Sequence, residues 1–173
     1  MTPEFSRLVR IDEVGEAPRT IPIAADAEER EALARRFALV AIGRLEAGAE
    51  VHRSGKTLFV EGRLQADVTQ TCVATGEPLP ATLDMPFVLR FVPEDSIEAS
   101  EEMELSESDC DTLTYAGGAL DLGEAAAETL ALSLDPFPRS AHADDALKAA
   151  GVVDETEVGP FAMLKALKDR LGK

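Results

Sequence analysis

Between residues 42 and 92 apolar side chains recur at every second position, and that period excludes a helix through the middle of this chain. Leu45, Ala47, Ala49 and Val51 alternate with their neighbours, and Ser54-Gly55 then supplies a turn. In the next run Leu58, Val60, Leu64, Ala66, Val68 and Cys72 face one side, while Thr57, Glu61, Arg63, Gln65, Asp67, Thr69 and Thr71 face the other. After Thr75-Gly76-Glu77-Pro78, a third run over 81–92 places Leu83, Met85, Phe87, Leu89 and Phe91 on one side. Three such runs in succession predict an antiparallel meander with one dry face and one wet face. Gly62 breaks the apolar row of the longest run, so a bend or bulge is expected there, curling the sheet into a barrel-like meander.

Helical signals flank this sheet. Asp26 followed by Glu29 is a capping-box pattern, and Leu33, Phe37 and Val40 recur at helical spacing, which predicts a helix over roughly 26–38. Asp121 and Glu124 repeat the pattern before a second helix over about 122–133, whose dry face holds Leu122, Ala126, Thr129, Leu130 and Leu134. Asp135-Pro136-Phe137-Pro138 stops it, because the residue before proline disfavours helical geometry. Pro160 suits the first position of a third helix, with Phe161, Leu164, Leu167 and Leu171 on one stripe. The segment 139–158 is acidic and carries no clear period. The expectation is one α+β domain over residues 1–173, a curled antiparallel sheet with about three packed helices.

Charge narrows the function. Residues 1–90 hold 11 Lys and Arg against 14 Asp and Glu, whereas residues 91–173 hold 6 against 19, so most of the net charge of −16 belongs to the second half. Such a field repels nucleic acid at long range and attracts basic partners. Nine of the acidic residues fall between Glu94 and Asp111 with no Lys or Arg among them, which predicts a flexible solvated loop over 94–112, or else a docking segment for a basic protein. One region runs the other way: Arg30, Arg35, Arg36, Arg44, Arg53, Lys56 and Arg63 outnumber Glu31, Glu46, Glu50 and Glu61. These cations, Arg35, Arg36, Arg44, Arg53, Lys56 and Arg63 above all, are candidate contacts for an RNA backbone. The alternative is a charged sheet edge and hairpin tip that discourage strand addition.

No bond-making centre is legible. His52 and His142 have no nucleophile motif around them, and Ala116-Gly117-Gly118-Ala119 lacks the lysine and the spacing of a phosphate loop, so it reads as a turn. Cys72 and Cys110 lie far apart and form neither a disulfide framework nor a zinc set; Cys72 is expected in the core and Cys110 at the surface. The N-terminal residues lack the apolar run of a signal peptide and no stretch could span a bilayer, so a cytoplasmic location is expected. A protein that is not an enzyme, without metal, cofactor, membrane or small-molecule substrate, is the expectation from the residues.

The order of the pieces resembles a known family. Thr69-Gln70-Thr71-Cys72-Val73-Ala74-Thr75-Gly76-Glu77-Pro78, then Leu120-Asp121-Leu122-Gly123-Glu124, then Glu128-x-Leu130-x-Leu132, Asp135-Pro136 and the closing Pro160-Phe161-Ala162-Met163-Leu164 resemble the YceD-like ribosomal RNA accumulation proteins, in the form of their alphaproteobacterial branch. The motif positions carried by the resemblance are Cys72, Thr75, Asp121, Gly123, Glu124 and Pro136. It implies a non-catalytic role in accumulation or processing of large-subunit ribosomal RNA, with that RNA, a pre-ribosomal particle or a basic ribosomal protein as partner. An escort for such a basic protein that never touches RNA is the alternative. Many members carry Cys-x-x-Cys, but here Thr75 stands at the second position and no later cysteine cluster follows, so two cysteines cannot supply a four-thiolate site.

Overall fold

A computed structural model describes residues 3–96 and 111–152. Most of the acidic stretch 94–112, Cys110 and the helix expected from Pro160 lie outside the described residues. The strands are β1 (Leu8–Arg10), β2 (Arg19–Ala24), β3 (Ala41–Ser54), β4 (Thr57–Thr71), β5 (Pro78–Pro93), β6 (Asp111–Tyr115) and β7 (Ala119–Asp121). The helices are α1 (Ala27–Arg36), α2 (Leu122–Ser133) and α3 (Ala143–Ala149). The α+β class stands, although the third helix is one that the acidic segment 139–158 did not announce.

The main sheet has the order β2-β3-β4-β5-β6, and β1 pairs β7 in a small ribbon of its own. This sheet is not closed into a barrel. Nor is it antiparallel throughout: Leu89–Pro93 of β5 run parallel to Asp111–Tyr115 of β6. A parallel neighbour requires a connection longer than a hairpin, and the chain between β5 and β6 has that length. The β3–β4 hairpin closes through Gly55 and Lys56, with Ser54 opposite Thr57. Gly55 has φ +63 and no other residue of that loop is positive, the pattern of a type II′ turn, whose first central position favours glycine.

Gly62 does not mark a bulge against β3. Ala49–Gly62 and its neighbouring pairs run in unbroken register, and the bulge falls instead between Ile42 and Arg44. A Cβ at Gly62 would collide with the Gly48 carbonyl oxygen and come within 2.9 Å of the Phe87 ring, so the missing side chain is space that Phe87 uses. Leu45, Ala47, Ala49 and Val51 of β3 pack with Leu58, Val60, Leu64, Ala66 and Val68 of β4 on the same dry face. Phe5, Leu33 and the buried side of α2 join that core.

The Asp26–Glu29 capping box forms in both directions, with Glu29 N–H donating to Asp26 Oδ1 at 2.9 Å and Asp26 N–H to Glu29 Oε2 at 2.8 Å. The far end of α1 stops earlier than the period implied. Leu39 N–H donates to the Ala34 carbonyl at 2.9 Å and Ala38 N–H to the Arg35 carbonyl at 3.4 Å, a Schellman turn that takes Val40 out of the helix and leaves it 57% exposed. Ala38 occupies the left-handed position of that turn with φ 54.

The described residues form two compact units: those up to Gln70 together with Pro80–Pro136, and Thr71–Leu79 together with the residues from Phe137 onward. The first holds the sheet, α1, α2 and the hydrophobic core. In the second, Val73 N–H donates to the Pro138 carbonyl at 2.9 Å, and α3 buries Ala143.

Since Ala38 has a Cβ at a position where glycine is unstrained, Ala38→Gly is expected to stabilise the protein by about 1 kcal/mol. Chemical denaturation measures this; a lower midpoint would contradict the left-handed turn.

Candidate functional site

The Leu120–Glu124 motif is a junction. The Asp121 carboxylate accepts from Gly123 N–H at 3.0 Å and Glu124 N–H at 3.2 Å, capping α2. The same carboxylate accepts from the Ser6 hydroxyl at 2.5 Å and Arg7 N–H at 2.8 Å, while Leu122 N–H donates to the Arg7 carbonyl at 3.0 Å. One side chain therefore ends a strand, starts a helix and holds the segment before β1. Gly123 makes the approach possible, because a Cβ there would lie 2.8 Å from both Arg7 N and the Phe5 carbonyl oxygen.

Glu124 departs from the capping box expected of it. Its carboxylate takes the Arg36 guanidinium instead, at 2.6 and 3.0 Å, and Arg36 also reaches Glu4 at 3.0 Å. Arg7 makes a matching clamp on Glu29, at 2.7 and 2.8 Å, and donates to the Ala24 carbonyl at 2.7 Å. The hydrogen bond from Arg7 holds the Glu29 carboxyl below its ordinary range. Together Asp121, Arg36 and Arg7 tie the N-terminal segment to α1 and α2.

The candidate RNA contacts separate into two sets. Arg35 pairs with Glu31 at 2.7 Å, Arg44 with Asp67 at 3.0 Å and Arg63 with Asp84 at 2.5 Å, in addition to the Arg36 clamp. Each of these four cations is met locally by a carboxylate. Arg53 and Lys56 have no carboxylate partner among the described residues, and both stand at the β3–β4 hairpin end. Backbone bonds pin that end: Arg53 N–H donates to the Gly15 carbonyl at 2.8 Å, and the Tyr115 hydroxyl to the Lys56 carbonyl at 2.8 Å. The wet face of the sheet is acidic overall, with Glu46, Glu50, Glu61, Asp67 and Asp84 against Arg44, Arg63 and Arg90.

In the second unit Cys72 is 2% exposed. Its sulfur accepts from Ser140 N–H at 3.3 Å, and Cys72 N–H donates to the Glu77 carbonyl at 2.8 Å. The Thr75 hydroxyl, with the backbone N–H groups of Ser140, Ala74 and Thr75, outweighs the cost of burial and pulls the thiol down to about 6. The Thr75 hydroxyl donates to Glu77 Oε2 at 3.0 Å, and Gly76, with φ +75, closes the turn by donating its N–H to the Cys72 carbonyl at 2.9 Å. Pro136 is exposed beyond the end of α2. Among the described residues no three His, Cys, Asp or Glu side chains are grouped as a metal ion requires.

A family model described as Large ribosomal RNA subunit accumulation protein YceD matches residues 60–168. The chain belongs to this family. No curated protein and no solved structure gives a significant match. All six motif positions, Cys72, Thr75, Asp121, Gly123, Glu124 and Pro136, fall inside the matched segment. Of the candidate RNA contacts only Arg63 does, because the match begins within β4. The family motif thus grips Ser6, Arg7 and Arg36, residues on the unmatched side of the chain.

The sequence had given no sign of Ser6 or Arg7, which meet Asp121 across 115 and 114 residues of chain. No local pattern encodes so distant a contact. The stacked pair of His52 and Phe59 was equally silent, since it arises only from the hairpin register.

Asp121→Ala removes a helix cap and strands the donors of Ser6 and Arg7, so a loss of about 2–4 kcal/mol is expected, read by urea denaturation. A change within experimental error would show that the junction is dispensable.

Proposed function

We propose that the protein is a non-enzymatic ribosome-assembly factor that supports accumulation or processing of large-subunit ribosomal RNA. The observation that carries this reading is the family match over residues 60–168. The non-catalytic part is supported by how the motif residues are employed. Asp121 caps a helix and holds the N-terminal segment, Glu124 binds Arg36, and Cys72 and Thr75 close a turn. The carboxylates thus have structural occupations, and the Cys72 sulfur is buried and held by the Ser140 amide. Among the described residues no helix is long and apolar enough to cross a membrane, and the reading places the protein in the cytoplasm with pre-ribosomal particles.

Contact with RNA must work against a net charge of −16. On this reading it is local and depends on the cations that no carboxylate already holds. Arg53 and Lys56 are first among them, whereas Arg35, Arg44 and Arg63 would have to exchange partners, and Arg36 is committed to the fold. The acidic wet face of the sheet favours a second reading, an escort that binds a basic ribosomal protein without touching RNA.

Depleting the protein is expected to lower the ratio of large- to small-subunit ribosomal RNA; an unchanged ratio would contradict the assignment. Arg53→Glu with Lys56→Glu should abolish co-sedimentation with pre-ribosomal particles while leaving thermal unfolding unchanged. Retained co-sedimentation, with salt-sensitive capture of basic ribosomal proteins, would favour the escort.

A further inference from the structure

The β3–β4 hairpin end carries more than charge. His52 and Phe59 are opposite each other in the ladder, and their rings stack with centroids 5.2 Å apart and planes inclined by 13°. Both are half-buried on the wet face of the sheet, so part of the pair remains open to solvent. Lys56 is in the turn beside them, whereas Arg53, the next residue along β3, is opposite the buried Leu58 and so projects from the other face of the sheet. On the same face β5 presents Val88, 40% exposed, and Arg90, whose Nε donates to the Thr112 hydroxyl at 3.2 Å.

We infer that this hairpin end is a docking point for single-stranded RNA, with unpaired bases stacking on the His52–Phe59 pair and phosphates meeting Lys56 and Arg90. The inference rests on the ribosomal reading above and adds to it a place and a form of nucleic acid. Base faces stack on aromatic rings whatever the sequence, and cations beside them hold the backbone; a duplex hides those faces. Lys56 and Arg90 meet no carboxylate among the described residues, unlike Arg44 and Arg63 on the same face, and that leaves cations free beside the rings. Glu50 and Glu61 oppose each other one step further along the wet face and repel phosphate, so binding is weak and falls steeply with salt.

Fluorescence anisotropy with the full chain and a labelled single-stranded oligouridylate of about 12 nucleotides tests this directly. Phe59→Ala is expected to weaken binding about tenfold, and Phe59→Tyr to restore it. Lys56→Glu with Arg90→Glu should abolish binding, and Glu50→Gln with Glu61→Gln should strengthen it, a gain that damaged folding cannot produce. Failure of the unmodified chain to bind, equal binding by Phe59→Ala, or preference for a duplex of the same length would overturn the inference. In depleted cells, full restoration of large-subunit RNA by Phe59→Ala would overturn the docking point alone. If depletion itself leaves that RNA unchanged, the ribosomal reading falls and takes the docking point with it.

Discussion

The first unit depends on a single carboxylate. Asp121 Oδ1 accepts from the first free amides of α2 and from the Arg7 amide, and its Oδ2 accepts from the Ser6 hydroxyl. Those donors would otherwise be left unpaired in a part-buried place, which costs far more than the bonds themselves contribute. With the segment fixed, Phe5 enters the core with no exposed surface, and Arg7 is brought to Glu29. Gly123 sets how closely the backbone passes, and Arg36 joins α1 to both sides through Glu4 and Glu124.

This arrangement changes the meaning of the family motif. Residues such as Asp-Leu-Gly-Glu invite a catalytic or metal-binding reading, since carboxylates beside a glycine at a helix start are chemically suggestive. Here they build the junction on which the unit closes. The match over residues 60–168 therefore describes a scaffold together with the partners of an N-terminal segment that the match does not reach. On the function proposed above, what the protein offers to another molecule lies elsewhere, on its charged surfaces.

The alternation of residues 42–92 made the three long strands legible, because a period of two survives any arrangement of the sheet that buries one face. The Asp26 capping box was legible for the same local reason: both of its bonds span three residues. The short strands β1, β2, β6 and β7 were not, since each is defined by a partner distant in the chain. Gly62 was visible as an interruption, but only the position of Phe87 shows that it provides space. Among the cations, Arg35 could be matched to Glu31 at helical spacing. The Arg44–Asp67 and Arg63–Asp84 pairs needed the sheet, and so the basic region read from composition dissolved largely into ion pairs, leaving Arg30 on the Ala25 carbonyl and Arg53 and Lys56 at the hairpin end.

The central claim is that the Leu120–Glu124 motif acts through the fold and not through chemistry or contact with a partner. It is tested most directly by measuring large-subunit ribosomal RNA in cells whose only copy is Asp121→Asn, over a temperature range in which its folded fraction is determined in parallel. The account predicts that RNA accumulation follows the folded fraction and is normal wherever the variant is fully folded. A fully folded Asp121→Asn protein that fails to support accumulation would contradict it.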